Sequence, residues 1–150
     1  MSSEAWSALR KEMYSKFSSG AEVILLDMGK SYGSKLVVSL SEALTEEDKL
    51  SYGSSASRLD PRDFSRMVTM TGWGRVTISG DLETGSHISV SVANCVFCEG
   101  EDDVVLGCPF LKGVSLGIAT SLYKAPFYIF SSCVNEQSRK HVCKFELSRK

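Results

Sequence analysis

"CPFLKGVSLGIATSLYKAPFYIFSSCVNEQSRKHVCKFEL", residues 108–147, decides the fold. Cys108-Pro109 opens a helix, with proline at its first turn, that runs to about Lys124. "PFYIFSSC", 126–133, is rich in β-formers, and Phe127, Ile129 and Cys133 share parity. "NEQSRK", 135–140, is a polar turn. "HVCKFEL", 141–147, is a last strand with Cys143, Phe145 and Leu147 on one face. The segment therefore reads helix, strand, turn, strand.

Upstream, "HISVSVANCVFC", 87–98, alternates as one long strand, with Ile88, Val90, Val92, Val96 and Cys98 on one face. "EGEDDVVLG", 99–107, is a solvated acidic loop. "RVTIS", 75–79, is a further strand, joined to 87–98 through the turn "GDLETGS". "DPRDF", 60–64, starts a helix: Asp60 caps it and Pro61 fills its first turn. Phe64, Met67 and Val68 face inward, and "TGWG", 71–74, ends it.

Residues 3–18 form an amphipathic helix on Trp6, Leu9, Met13 and Phe17, broken by "SSG" at 18–20. A longer helix spans 21–44, with an expected apolar stripe of Val23, Leu26, Tyr32, Leu36 and Leu40. A short helix over "TEEDKLSYG", 45–53, and a loop over "SYGSSASR" follow. Gly29 and Gly33, and again Gly113 and Gly117, are spaced four apart, so another backbone or a ligand can approach closely there. The fold class is α/β of the α+β type. N-terminal helices precede a curved antiparallel sheet with one helix packed across it. Residues 1–150 make a single domain, with 1–19 a candidate dimerisation element.

Composition narrows the function. The net charge of -1 makes no electrostatic case for nucleic acid. No apolar run is long enough to span a membrane. The charged N-terminus lacks a signal core, which places the chain in the cytoplasm, where thiols stay reduced. The five cysteines, an odd number, fit a disulfide framework poorly.

Path lengths gather those cysteines. The 109–124 helix spans about 24 Å at 1.5 Å per residue. The strand that follows returns about 26 Å at 3.3 Å per residue. Cys95, Cys98, Cys108, Cys133 and Cys143 therefore meet at one end of the fold. Converging thiols in a reducing compartment suit zinc, which takes four tetrahedral S/N ligands. The expected set is Cys108, Cys133, Cys143 and Cys98, with Cys95 as the alternative fourth. Positions three apart on a strand point oppositely, so Cys95 and Cys98 share a metal only across a turn or bulge. His141 is a further substitute. The helix N-terminus is expected to favour the Cys108 thiolate.

"LLDMGKSYGSKL", "GWGRVTI" and the 108–147 segment together resemble the 4-vinyl reductase domain, which is related to core subunits of the TRAPP vesicle-tethering complex. The resemblance runs from about residue 20 to the end, and implies their shared α/β fold. It implies a small-molecule binding module for a hydrophobic or aromatic ligand, with zinc beside the pocket. It matches the family cysteines to Cys108, Cys133 and Cys143. The family's glutamate ligand is replaced by Phe130, so either Cys98 or Cys95 completes the site, or water does, or zinc is absent. The candidate pocket comprises Gly29, Gly33, Trp73, Phe110, Gly113, Gly117, Tyr123, Phe127 and Tyr128. The alternative is an assembly subunit resembling TRAPP core proteins, as a homodimer or with a partner protein. A reductase acting on a vinyl group ranks below both, since no catalytic constellation or dinucleotide fingerprint occurs.

Overall fold

The computed structural model describes residues 3–51, 60–98, 108–136 and 140–150, with backbone alone for 3, 44–51, 133–136 and 140–141. Four helices and four strands lie within these residues. In chain order they are α1 (Ser3–Phe17), α2 (Gly20–Ser51), α3 (Pro61–Met70), β1 (Arg75–Gly80), β2 (His87–Ala93), α4 (Pro109–Tyr123), β3 (Phe127–Glu136) and β4 (Lys140–Arg149). The fold is α+β, as the sequence implies. Among the described residues no helix is long and apolar enough to cross a membrane.

The sheet order is β1-β2-β4-β3, and every neighbouring pair is antiparallel. β2 and β3 both run against β4, so they run parallel to each other with β4 inserted between. Helix α4 makes the crossover that this split β-α-β arrangement needs. The expected out-and-back path is thus found: the C-terminal ends of β2 and β3 and the N-terminus of α4 lie at one end.

Alternation sets the inner face. Ile88, Val90 and Val92 of β2 and Cys143, Phe145 and Leu147 of β4 are buried, and the last three are fully so. Burying a Phe or Leu side chain contributes roughly 1.5–3 kcal/mol. Register pairs Val90 with Phe145 and Ile88 with Leu147, one continuous apolar row. Asp60 caps α3, its carboxylate accepting from the Arg62 amide at 2.9 Å, and Pro61 follows. Phe64 and Val68 are its buried side chains.

Three expectations are corrected. The 21–44 and 45–53 helices are one helix, α2, to Ser51; the loop expected from Tyr52 lies outside the described residues. The buried positions of α2 include Ala21, Leu25, Gly29, Gly33 and Val37, not the expected stripe: Val23 is 59% and Tyr32 41% exposed. Small residues win that face because the helix opposite touches it. A Cβ at Gly29 would stand 2.1 Å from the Phe110 carbonyl oxygen, and one at Gly113 2.1 Å from that of Leu26. Third, β2 stops at Ala93. Asn94 takes a left-handed φ of 55°, which Asn tolerates better than most residues, and 96–98 is a turn rather than strand.

Candidate metal centre and apolar cavity

The turn after β2 meets the condition under which Cys95 and Cys98 can face one point. With the strand ended at Asn94, the Cys98 amide donates to the Cys95 carbonyl at 3.1 Å, closing a tight knuckle. The sulfurs of Cys95, Cys98 and Cys108 all lie within 4.8 Å of one another. Cys143 reaches the same point from β4, its Sγ 3.2 Å from that of Cys98. Three separate devices deliver the four thiols: a turn gives two, the residue before α4 gives the third, and β4 gives the fourth. All four are buried and none is in a disulfide.

Cys133 lies opposite Cys143 in the β3–β4 register, at the same end of the sheet. His141 lies opposite Asn135, and for both Cys133 and His141 the backbone alone is described. Phe130, at the place of the family glutamate, is exposed. His87 sits at the other end of β2, beside Glu146 and Ser148 on the exposed sheet face.

The electrostatics favour a shared charge. Hydrogen bonds from Cys108, Cys143 and Cys98 lower the Cys95 thiol from its ordinary value. Burial pushes the Cys108 thiol up, followed by the neighbouring Cys95 and Cys98. The direction is opposite to the one expected for Cys108 from its place before a helix, and burial of the thiolate is its first cause. A cluster that stabilises one thiolate and resists a second is what a divalent cation relieves. Three sulfurs lie within 4.8 Å of one another and the fourth, of Cys143, stands 3.2 Å from that of Cys98, a donor type and number that suit a tetrahedral site. The donor set therefore fits zinc.

Aromatic rings cover the knuckle. Phe97, between its two cysteines, meets Trp6 edge-on at 4.8 Å, Trp73 at 5.3 Å and Phe110 at 5.3 Å. Trp73 and Phe110, expected in a pocket, are thus packed against other rings. Trp6 and Phe97, which the sequence reading left out of the site, join the group, and Tyr32 meets Trp73 at 5.4 Å and Phe110 at 6.2 Å. Among the described residues the buried Trp6 indole N–H has no hydrogen-bond partner.

An apolar cavity lies elsewhere among the described residues, between α3, α4 and the sheet. Its volume is ≈ 50 Å³. Phe64 and Val68 of α3, Val90 of β2 and Ile118, Leu122 and Tyr123 of α4 are among its walls. No charged side chain lines it, and its polar groups are Ser65, Ser115 and Tyr123. Two of these are engaged: Ser65 Oγ donates to the Val76 carbonyl at 2.6 Å, and Tyr123 Oη to that of Leu82 at 2.8 Å. Of the expected pocket residues, only Tyr123 lines this cavity. Gly29, Gly33, Gly113 and Gly117 lie in the α2–α4 contact. Phe127 is core beside Tyr123, and Tyr128 is exposed beneath the Lys150 ammonium. Periodicity carries no signal that separates the aliphatic cavity walls from ordinary core.

No protein-family model and no curated protein matches the chain. Solved structures do. The phenol-responsive sensory domain of the transcription activator PoxR, crystallised with phenol, aligns over 99% of this chain and 75% of its own, at a TM-score of 0.67 and 18% identity. A trafficking protein particle complex subunit 3 from Naegleria fowleri, covalently bound to palmitic acid, aligns over 99% of this chain and 92% of its own, at 0.59 and 10%. At these identities the likeness is one of fold. The chain has the fold common to a phenol-sensing domain and a TRAPP subunit, the architecture to which its 108–147 segment points.

Proposed function

We propose that this chain binds a small, uncharged, apolar molecule between α3, α4 and the sheet, and that a zinc ion on Cys95, Cys98, Cys108 and Cys143 braces the adjoining end. The observation that carries the ligand reading is the cavity's lining: apolar walls, no charge, and two of three polar groups already engaged. A ligand with a charged head would lose its hydration there without compensation. The phenol-bound sensory domain of the same fold supports this choice. A cavity of ≈ 50 Å³ is smaller than the roughly 150 Å³ that holds benzene, so binding includes an outward shift of α3 or of cavity side chains.

The test is a melting series against neutral aromatic and aliphatic compounds and their carboxylate analogues. A ligand at 100 times its Kd stabilises by about 2.7 kcal/mol. Neutral compounds are expected to raise Tm while the carboxylates do not; no shift from any neutral compound rejects the reading.

A second reading, an assembly subunit, is favoured by the TRAPP subunit of like fold and by exposed Val23, Ile24 and Met28 on α2. It requires self-association or a partner in sedimentation, and a strict monomer with no partner removes it.

A further inference from the structure

We infer that the metal-loaded knuckle Cys95–Cys98 is the socket on which the N-terminal helix α1 docks, so that metal occupancy sets whether α1 is held against the domain. The inference rests on the zinc reading above and adds a consequence to it.

α1 grips the domain through residues that carry or flank the thiols. Arg10 Nη1 donates to the carbonyl of Phe97 at 3.1 Å, and Phe97 stands between Cys95 and Cys98. Trp6, the one fully described buried residue of α1, packs on the Phe97 ring at 4.8 Å and on Phe110 at 5.2 Å. Phe110 is two residues beyond Cys108. Both ring partners of Trp6 therefore sit on segments whose positions the metal would fix. Met13 and Tyr14 add half-buried contacts, while Leu9 and Phe17 face solvent.

The knuckle is buried and held mainly by packing of the Phe97 ring. Its described backbone ties are the Cys98–Cys95 bond and one from the Val96 amide to the Trp73 carbonyl at 3.3 Å. Four sulfur–metal bonds would fix Phe97 from both sides. Without them the carbonyl that Arg10 reads, and the ring that Trp6 meets, lose their fixed places. Charge points the same way: a divalent ion on four thiolates is net anionic, and Arg10 brings a cation to its edge.

The test is hydrogen exchange with mass spectrometry on the full chain, metal-free and after one equivalent of zinc chloride. Zinc is expected to slow exchange in 3–17 by about tenfold or more, and in 109–123 by much less. The Arg10→Gln variant is expected to keep one zinc per chain yet to exchange in 3–17 nearly as fast as metal-free protein. Zinc bound with α1 exchange unchanged overturns the inference alone. Equal loss across α1 and α4 on metal removal also overturns it, because zinc is then a general staple. Failure to bind zinc at all overturns the zinc reading and the inference together.

Discussion

The sulfurs of Cys98 and Cys143, 45 positions apart in sequence, stand 3.2 Å apart in the buried end of the sheet. A disulfide needs about 2.05 Å, so a small movement joins them. In metal-free protein treated with diamide, we expect this pair to be oxidised first, losing two protons and two electrons to the reagent. Peptide mapping should find Cys98 linked to Cys143, at a loss of two hydrogens in mass. Zinc-loaded protein should resist, since its thiolates are occupied. A first link elsewhere would contradict the arrangement.

The ligand set is separable by substitution. Cys95→Ser is expected to abolish stoichiometric zinc in elemental analysis, because it removes one of the three sulfurs that lie within 4.8 Å of one another. Unchanged zinc in this variant would restore the set expected from sequence, which has Cys133, opposite Cys143 in the register, in its place. Binding should also release protons, since Cys108 is held protonated by burial. Zinc affinity should therefore fall as pH falls, measurable by calorimetry in buffers of differing ionisation heat.

The helix contact tolerates no added methyl. Gly113→Ala places a carbon 2.1 Å from the Leu26 oxygen, and we expect a loss of about 3 kcal/mol in urea unfolding. Gly20→Ala is the control. Its nearest neighbour would be Phe17 Cβ at 3.8 Å, so the change should be neutral or stabilise by up to about 1 kcal/mol.

The β1–β2 turn carries an acid-sensitive carboxylate. Hydrogen bonds from the Thr84 hydroxyl and amide, with Ser86, hold Asp81 down from 3.8 to about 2. A depressed folded value means stability that is present above the unfolded value and lost as pH falls through the folded one. The Asp81 contribution should be complete above about pH 4 and vanish near pH 2. Asp81→Asn should flatten that part of the stability–pH curve, and an unchanged curve would refute the role.

Much of this was legible in residues alone, for local reasons. Asp60-Pro61 marks a helix start by chemistry that needs no tertiary context. Alternation in 87–93 and 141–147 set the inner sheet face, and chain lengths brought the thiols to one end. What stayed hidden was tertiary. The packed face of α2 uses Ala21, Gly29 and Gly33, which apolar periodicity barely weighs. One left-handed residue, Asn94, turned an assumed strand into a knuckle and made Cys95 and Cys98 neighbours. Trp73 and Phe110 suggested a pocket, yet they satisfy one another and Phe97, while the open space fell among aliphatic side chains.

The interlocked glycines have a mechanical meaning. Gly29, Gly33, Gly113 and Gly117 each seat against a carbonyl of the opposite helix, a fit like meshed teeth. Neither helix can slide along the other without driving carbonyl oxygens into backbone, so the two travel as a single rod. One end of that rod borders Cys108 and its flank walls the hollow beside Ile118. The hollow and the thiols are thus both borders of one braced helix pair.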